Sequence, residues 1–177
     1  WYAALKAKDT RRLVLMQKNR AHSPDDARRV VFDDFIHVAD TLRFLAPSEI
    51  KGVGVSSFSE AGKLHHLTLQ LDGEGFTAVG VMNREGGANE ELLEVSAPGH
   101  KWAVRDLNTT AHHTAGEERT THFPDWEPVL RRRGFAHIVE HFLDCVRHGQ
   151  DPQPSARDAL ETHALCEKIV AEITASS

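Results

Sequence analysis

The run Phe32-Asp33-Asp34-Phe35-Ile36-His37-Val38-Ala39-Asp40-Thr41-Leu42 holds residues suited to acid–base chemistry. Asp33 stands four residues before His37 and Asp40 three after it, so a regular helix sets all three on one face. A carboxylate one turn from an imidazole fixes its tautomer and raises its proton affinity, as proton transfer near neutral pH requires. The plainer alternative is a helix histidine flanked by N-terminal acids that favour the macrodipole. Phe32, Phe35, Ile36, Ala39, Leu42 and Phe44 supply the apolar side that would pack this helix down.

The surrounding sequence predicts what must position it. From Arg11 to Asn19, Leu13 and Leu15 alternate with Val14 and Met16, which reads as a strand apolar on both faces. Ser23-Pro24-Asp25-Asp26 marks a turn, and the helix predicted over Asp33–Leu45 closes at Ala46-Pro47. Between Lys51 and about His122 the period changes to two. Turn signals at Asp72-Gly73-Glu74-Gly75, Glu85-Gly86-Gly87-Ala88-Asn89 and Ala97-Pro98-Gly99 separate the strands. Links this short predict an antiparallel meander of neighbours. Helical period returns after Trp126. Phe135, Ile138, Val139, Phe142, Leu143 and Val146 form one stripe ending at His148-Gly149. Ser155 with Asp158 resembles a capping box, and Leu160, Ala164, Ile169, Val170 and Ile173 mark the apolar side of a final helix.

Segregated strands and helices point to an α+β fold, an open and mainly antiparallel sheet with helices packed on one face. Strands apolar on both sides need a second cover, and a second subunit on the open face would supply it. No strand–G-x-G-x-x-G–helix unit is present, so the expected chain lacks a Rossmann domain.

A length of 177 residues with 40% hydrophobic and 27% charged residues predicts a single globular domain over 1–177. A net charge of -5 gives no electrostatic reason for nucleic acid as a partner, and no apolar run suits a membrane span. Arg131-Arg132-Arg133 reads as a solvated basic face. Cys145 and Cys166 read as buried free thiols, which with no legible export signal predicts a cytoplasmic protein. His65-His66 and His112-His113 are adjacent pairs whose members point to opposite faces of a strand, so no metal site is expected from them. Trp1 to about Lys8 reads as the remnant of a linking helix, as though the chain continued from a longer one.

The Asp33/His37/Asp40 helix resembles the one that opens the C-terminal domain of Gfo/Idh/MocA-type oxidoreductases, with the MviM-like branch most alike. The strand ending in Lys18-Asn19-Arg20 before it is similar too. So is the ending from Arg133-Gly134-Phe135 through Phe142, Cys145-Val146 and Pro152 to an Ala-rich helix. The resemblance implies a parent with a separate NAD(P)-binding domain and this chain as the substrate-binding and oligomerisation half. The reaction it implies is oxidation or reduction of a hydroxyl/carbonyl pair on a sugar, polyol or related small molecule. His37 would be the catalytic proton donor or acceptor, with Asp33 orienting it or touching a substrate hydroxyl. Lys18 and Arg20 would reach the substrate. NAD or NADP would be held mainly by the other domain, together with the family's usual lysine, so this half alone is expected to be inactive. The open sheet face would pair in a homo-oligomer. The alternative is an assembly or regulatory domain without chemistry.

Overall fold

The computed structural model describes Leu5 and residues 11–175. The linking helix expected from Trp1 to Lys8 lies, Leu5 apart, outside the described residues. Strand β1 (Leu13–Asn19) runs first. A helical stretch follows, made of α1 (Ala27–Val30), a π turn (Val31–Phe35) and α2 (Ile36–Leu45). Seven strands come next: β2 (Ile50–Glu60), β3 (Lys63–Gly73), β4 (Phe76–Asn83), β5 (Glu90–Ala97), β6 (His100–Arg105), β7 (Thr109–Thr114) and β8 (Glu117–His122). The chain closes with α3 (Val129–Arg132), α4 (Phe135–His148) and α5 (Ala156–Ala175).

All eight strands form one sheet in the order β2-β3-β4-β1-β5-β6-β7-β8. The fold is α+β, as the sequence predicts. The expected simple meander is not what forms, because β1 lies between β4 and β5. It runs parallel to β4 and antiparallel to β5. The β4–β5 link therefore crosses the end of β1 instead of making a hairpin, tied there by Gly86 N–H donating to Arg20 O at 3.2 Å and Ala21 N–H to Asn89 Oδ1 at 2.9 Å.

Alternation along β1 divides the two faces. Val14 and Met16 are buried beneath the helices, while Leu13 and Leu15 remain partly exposed on the other face. The helices α2 and α5 pack on β1, β4 and β2 and on each other. Val31, Phe35, Val38, Leu42 and Leu45 are fully buried there against Leu67, Leu69 and Leu71 of β3. Gly80 makes this approach possible. A Cβ at that position would stand 2.5 Å from Val38 Cγ1 and 3.0 Å from Leu42 Cδ1.

The helix begins earlier than predicted. Asp26 caps it, its carboxylate accepting from Arg29 N–H at 3.0 Å. In the π turn the Ile36 amide donates to Val31 O, five residues back. At the far end, Ser155 Oγ accepts from Asp158 N–H at 3.2 Å, as the cap signal predicts. Gly149 ends α4 in the left-handed region at φ 62°. Cys145 and Cys166 are both free and buried. Two expectations about the terminal helices need correction. The apolar stripe of α4 is exposed, and Leu160 of α5 faces solvent while Thr162 takes a buried place beside Cys166, Ile169 and Ile173. Among the described residues no helix is long and apolar enough to cross a membrane.

Candidate functional site

Lys18 continues the inward-facing row of β1 after Val14 and Met16, so its ammonium emerges under the helix at the end of the strand. Its side chain is only 8% exposed. Burying an ammonium requires partners. Lys18 Nζ lies 3.2 Å from Asp34 Oδ1 and 3.9 Å from Oε2 of Glu91, its cross-strand neighbour on β5.

Asp34 collects further cations. Arg20 grips it bidentately, Nε to Oδ2 at 2.7 Å and Nη2 to Oδ1 at 2.6 Å. Arg84, from the β4–β5 link, reaches Oδ2 at 3.0 Å. Burial alone would push the Asp34 carboxyl up, but the Arg20 hydrogen bonds and the Lys18 and Arg20 charges outweigh it and hold it below 3.8. The helix is thus fastened to the end of β1 through one carboxylate.

Asp33 is elsewhere. Its side chain is 69% exposed and meets Arg29 Nε at 3.5 Å. It lines a shallow depression with Asp25, Arg29, Val30, Asp34 and Arg84, apart from the cleft that holds His37. The shared face predicted for Asp33, His37 and Asp40 is therefore not formed. Asp34, three residues before His37, is the carboxylate turned toward the sheet, because that is where the cations of β1 and the β4–β5 link stand.

His37 and Asp40 do line one cleft, of about 270 Å³, with Met16, Lys18, Thr41, Glu91, Leu107, Arg133 and Phe135. His37 is exposed at its mouth and makes no hydrogen bond to any described residue. Protein packed behind the ring strips water from it, and the Lys18 ammonium repels its proton. Both lower the pKa from 6.5, against the pull of Asp34, Glu91 and Asp40. Asp40 also braces the helix layer, accepting from Thr162 Oγ1 of α5 at 2.7 Å. Arg20 lines an adjoining cleft of about 310 Å³ with Lys18, Asn89, Glu90, Glu91, Asp106, Leu107 and Arg133.

Residues 1–115 match the family described as YceM-like, C-terminal domain. The chain belongs to that family. YceM of Salmonella typhimurium, a protein named as a candidate oxidoreductase, is 26% identical over 157 residues, which cover 87% of this chain and 51% of the relative. The crystal structure of the dehydrogenase MviM from Clostridium difficile superposes with a TM-score of 0.90 at 25% identity, over 97% of this chain and 58% of that one. A Gfo/Idh/MocA family oxidoreductase from Vibrio cholerae gives 0.82 at 24% identity, over 97% and 56%. The fold is thus the one found in the MviM dehydrogenase and in a Gfo/Idh/MocA family oxidoreductase, as the resemblance read from the sequence implies. The chain spans about half the length of the relatives it matches.

Of the residues that the sequence singles out, His37 and Lys18 line the first cleft and Lys18 and Arg20 the adjoining one. Sequence reasoning passed over Asp34, although the residue sits inside the same motif, and treated Arg133 as part of a solvated basic run. Glu91 carried no signal at all. Its place beside Lys18 depends on β1 entering between β4 and β5.

Proposed function

We propose that this chain is the substrate-binding and dimerising half of an NAD(P)-dependent oxidoreductase acting on a hydroxyl or carbonyl of a sugar, polyol or related small molecule. The observation that carries the reading is His37, exposed and without a hydrogen bond to any described residue, at the mouth of a cleft that also presents Lys18, Asp40 and Glu91. Oxidising a secondary alcohol removes a hydride from carbon and a proton from oxygen. A bound nicotinamide would supply the acceptor for the hydride. His37 takes the proton, and the burial and Lys18 charge that lower its pKa favour the unprotonated form that can do so. In the reverse direction the imidazolium returns that proton to the forming alkoxide. Lys18 lies close enough to His37 to disfavour a second positive charge there, and it offers a donor to the reacting oxygen. Glu91 and Asp40 offer acceptors for neighbouring hydroxyls. Asp34 positions Lys18 and Arg20. No Gly-rich strand–helix turn stands ready here for a pyrophosphate, so the dinucleotide's grip belongs to the partner half of the parent protein.

His37→Ala in the whole oxidoreductase tests this. Loss of the acid–base group lowers kcat/KM by roughly a hundredfold or more. A change of only a few-fold defeats the assignment.

The dimerising role has its own support on the opposite face of the sheet. Leu15, Val79, Val81 and Leu92 line an apolar groove there with Gln17 and Glu94, and Leu13 adds exposed apolar surface beside it. In this reading a second copy covers the groove.

A further inference from the structure

The two clefts meet at Lys18, Glu91, Leu107 and Arg133, and among the charged groups at this junction Arg133 differs from the rest. Lys18 and Arg20 are neutralised by Asp34. The carboxylates are also engaged. Glu90 accepts from Asn19 Nδ2 at 2.6 Å, Asp106 from the Glu91 amide at 3.0 Å, and Asp40 from Thr162. The Arg133 guanidinium has no hydrogen bond or ion pair with any described residue, although it lines both clefts.

Its placement is held by the backbone and not by its own side chain. Arg133 ends α3, and Gly134 at φ 83° turns the chain sharply into α4. Arg132 Nη1 anchors the corner to Asn108 Oδ1 at 3.4 Å, beside Leu107 in the β6–β7 turn. The corner therefore carries a planar, always-charged fork to the edge of the substrate hollow. A fork of that geometry fits a carboxylate or a phosphate far better than a neutral hydroxyl.

We infer that Arg133 is a specificity residue that receives an anionic group of the substrate, so that the natural substrate is a sugar or polyol bearing a carboxylate or a phosphate. The inference rests on the His37 cleft being the substrate site. A polyhydroxylated ring or chain beside His37, Lys18 and Glu91 extends along the hollow, and its anionic end reaches the guanidinium. The surrounding acids satisfy hydroxyls and repel any anion not aligned with Arg133.

The experiment titrates the isotope-labelled chain with D-glucose, D-gluconate and glucose 6-phosphate, following the amide signals of Lys18, His37, Glu91 and Arg133. At least one anionic sugar binds about tenfold tighter than glucose, and added salt erodes that advantage. Arg133→Gln abolishes the advantage over glucose, while Arg133→Lys restores part of it. Gluconate preferred over the phosphate identifies a sugar acid, and the reverse order a sugar phosphate. Equal binding of all three sugars, or an anion preference that survives Arg133→Gln, overturns the inference and leaves the cleft reading intact. Silence of the Lys18, His37 and Glu91 signals with every sugar overturns the cleft reading itself, and this inference with it.

Discussion

Replacing Asp34 with Asn keeps the side chain's shape and removes the charge that Lys18, Arg20 and Arg84 share. The carboxylate is 15% exposed, and the Lys18 and Arg84 side chains are 8% and 12% exposed, so little water is at hand to compensate. Breaking a buried ion pair by removing one partner costs about 3–5 kcal/mol, because the other charge stays behind unpaired. Partial access at Arg20 places the expected loss near the lower end, about 3 kcal/mol. Asp33→Asn is the matched control. Its carboxylate and its partner Arg29 are each 69% exposed, and pairs of that kind contribute roughly 0–1 kcal/mol. Urea unfolding of the three proteins at pH 7 reads the difference as a shift in midpoint at constant slope. The pH dependence adds a second check. Asp34 has a folded-state pKa below 3.8, so its contribution is complete above that value and disappears as pH falls through the lowered one. The gap between wild type and Asp34→Asn therefore holds from pH 7 to pH 5 and closes in stronger acid. An Asp34→Asn loss under about 1 kcal/mol, or an Asp33→Asn loss as large, would refute the argument that Asp34 fastens helix to strand.

Three further outcomes follow from the same geometry. The His37 ring titrates below 6.5 by proton NMR, and Lys18→Met moves it upward by removing a repelling ammonium; no movement, or a downward one, contradicts the cause given. Gly80→Ala drives a methyl into Val38 and Leu42 and costs about 1–3 kcal/mol in thermal or urea unfolding, so a neutral result would mean that the helix slides away easily. Leu15→Lys places a charge in the apolar groove of the open face; sedimentation should show wild type self-associating at micromolar concentration and the variant monomeric, and a wild type that stays monomeric removes the support for sheet-face pairing.

Local features were legible because local rules create them. The two-sided apolar pattern of β1, the helix stop at Ala46-Pro47, the Ser155 cap and the Gly149 end all follow from propensity and turn chemistry within a few residues. The choice between Asp33 and Asp34 was not legible in that way. Helical neighbours at three and four residues are equally good by spacing, and the decision is made by Lys18, Arg20 and Arg84, which arrive from other elements. The β4–β5 link has the length and glycines of a hairpin, and only competition from β1 for both strand edges overrides it. On α4 a regular apolar stripe specifies helix but not what covers it. Phe135, Ile138, Val139, Phe142, Leu143 and Val146 all remain exposed. Leu160 shows the same limit on α5, where Thr162 is buried because it joins Asp40 to Arg43.

The insertion of β1 also governs the order in which the molecule can be assembled. Strands β2 to β4 form one set of successive hairpins and β5 to β8 another, each closing short loops at low entropic cost. Neither set touches the other within the sheet except through β1, whose Leu13 must find Thr77 on one side and Ser96 on the other. Those are the long-range closures that slow folding. Because Lys18 is carried on this same strand, and Glu91 and Arg84 lie on opposite sides of it, the cleft beside His37 comes into being only when the two halves are joined. A partly folded chain owns all the hairpins and none of the site.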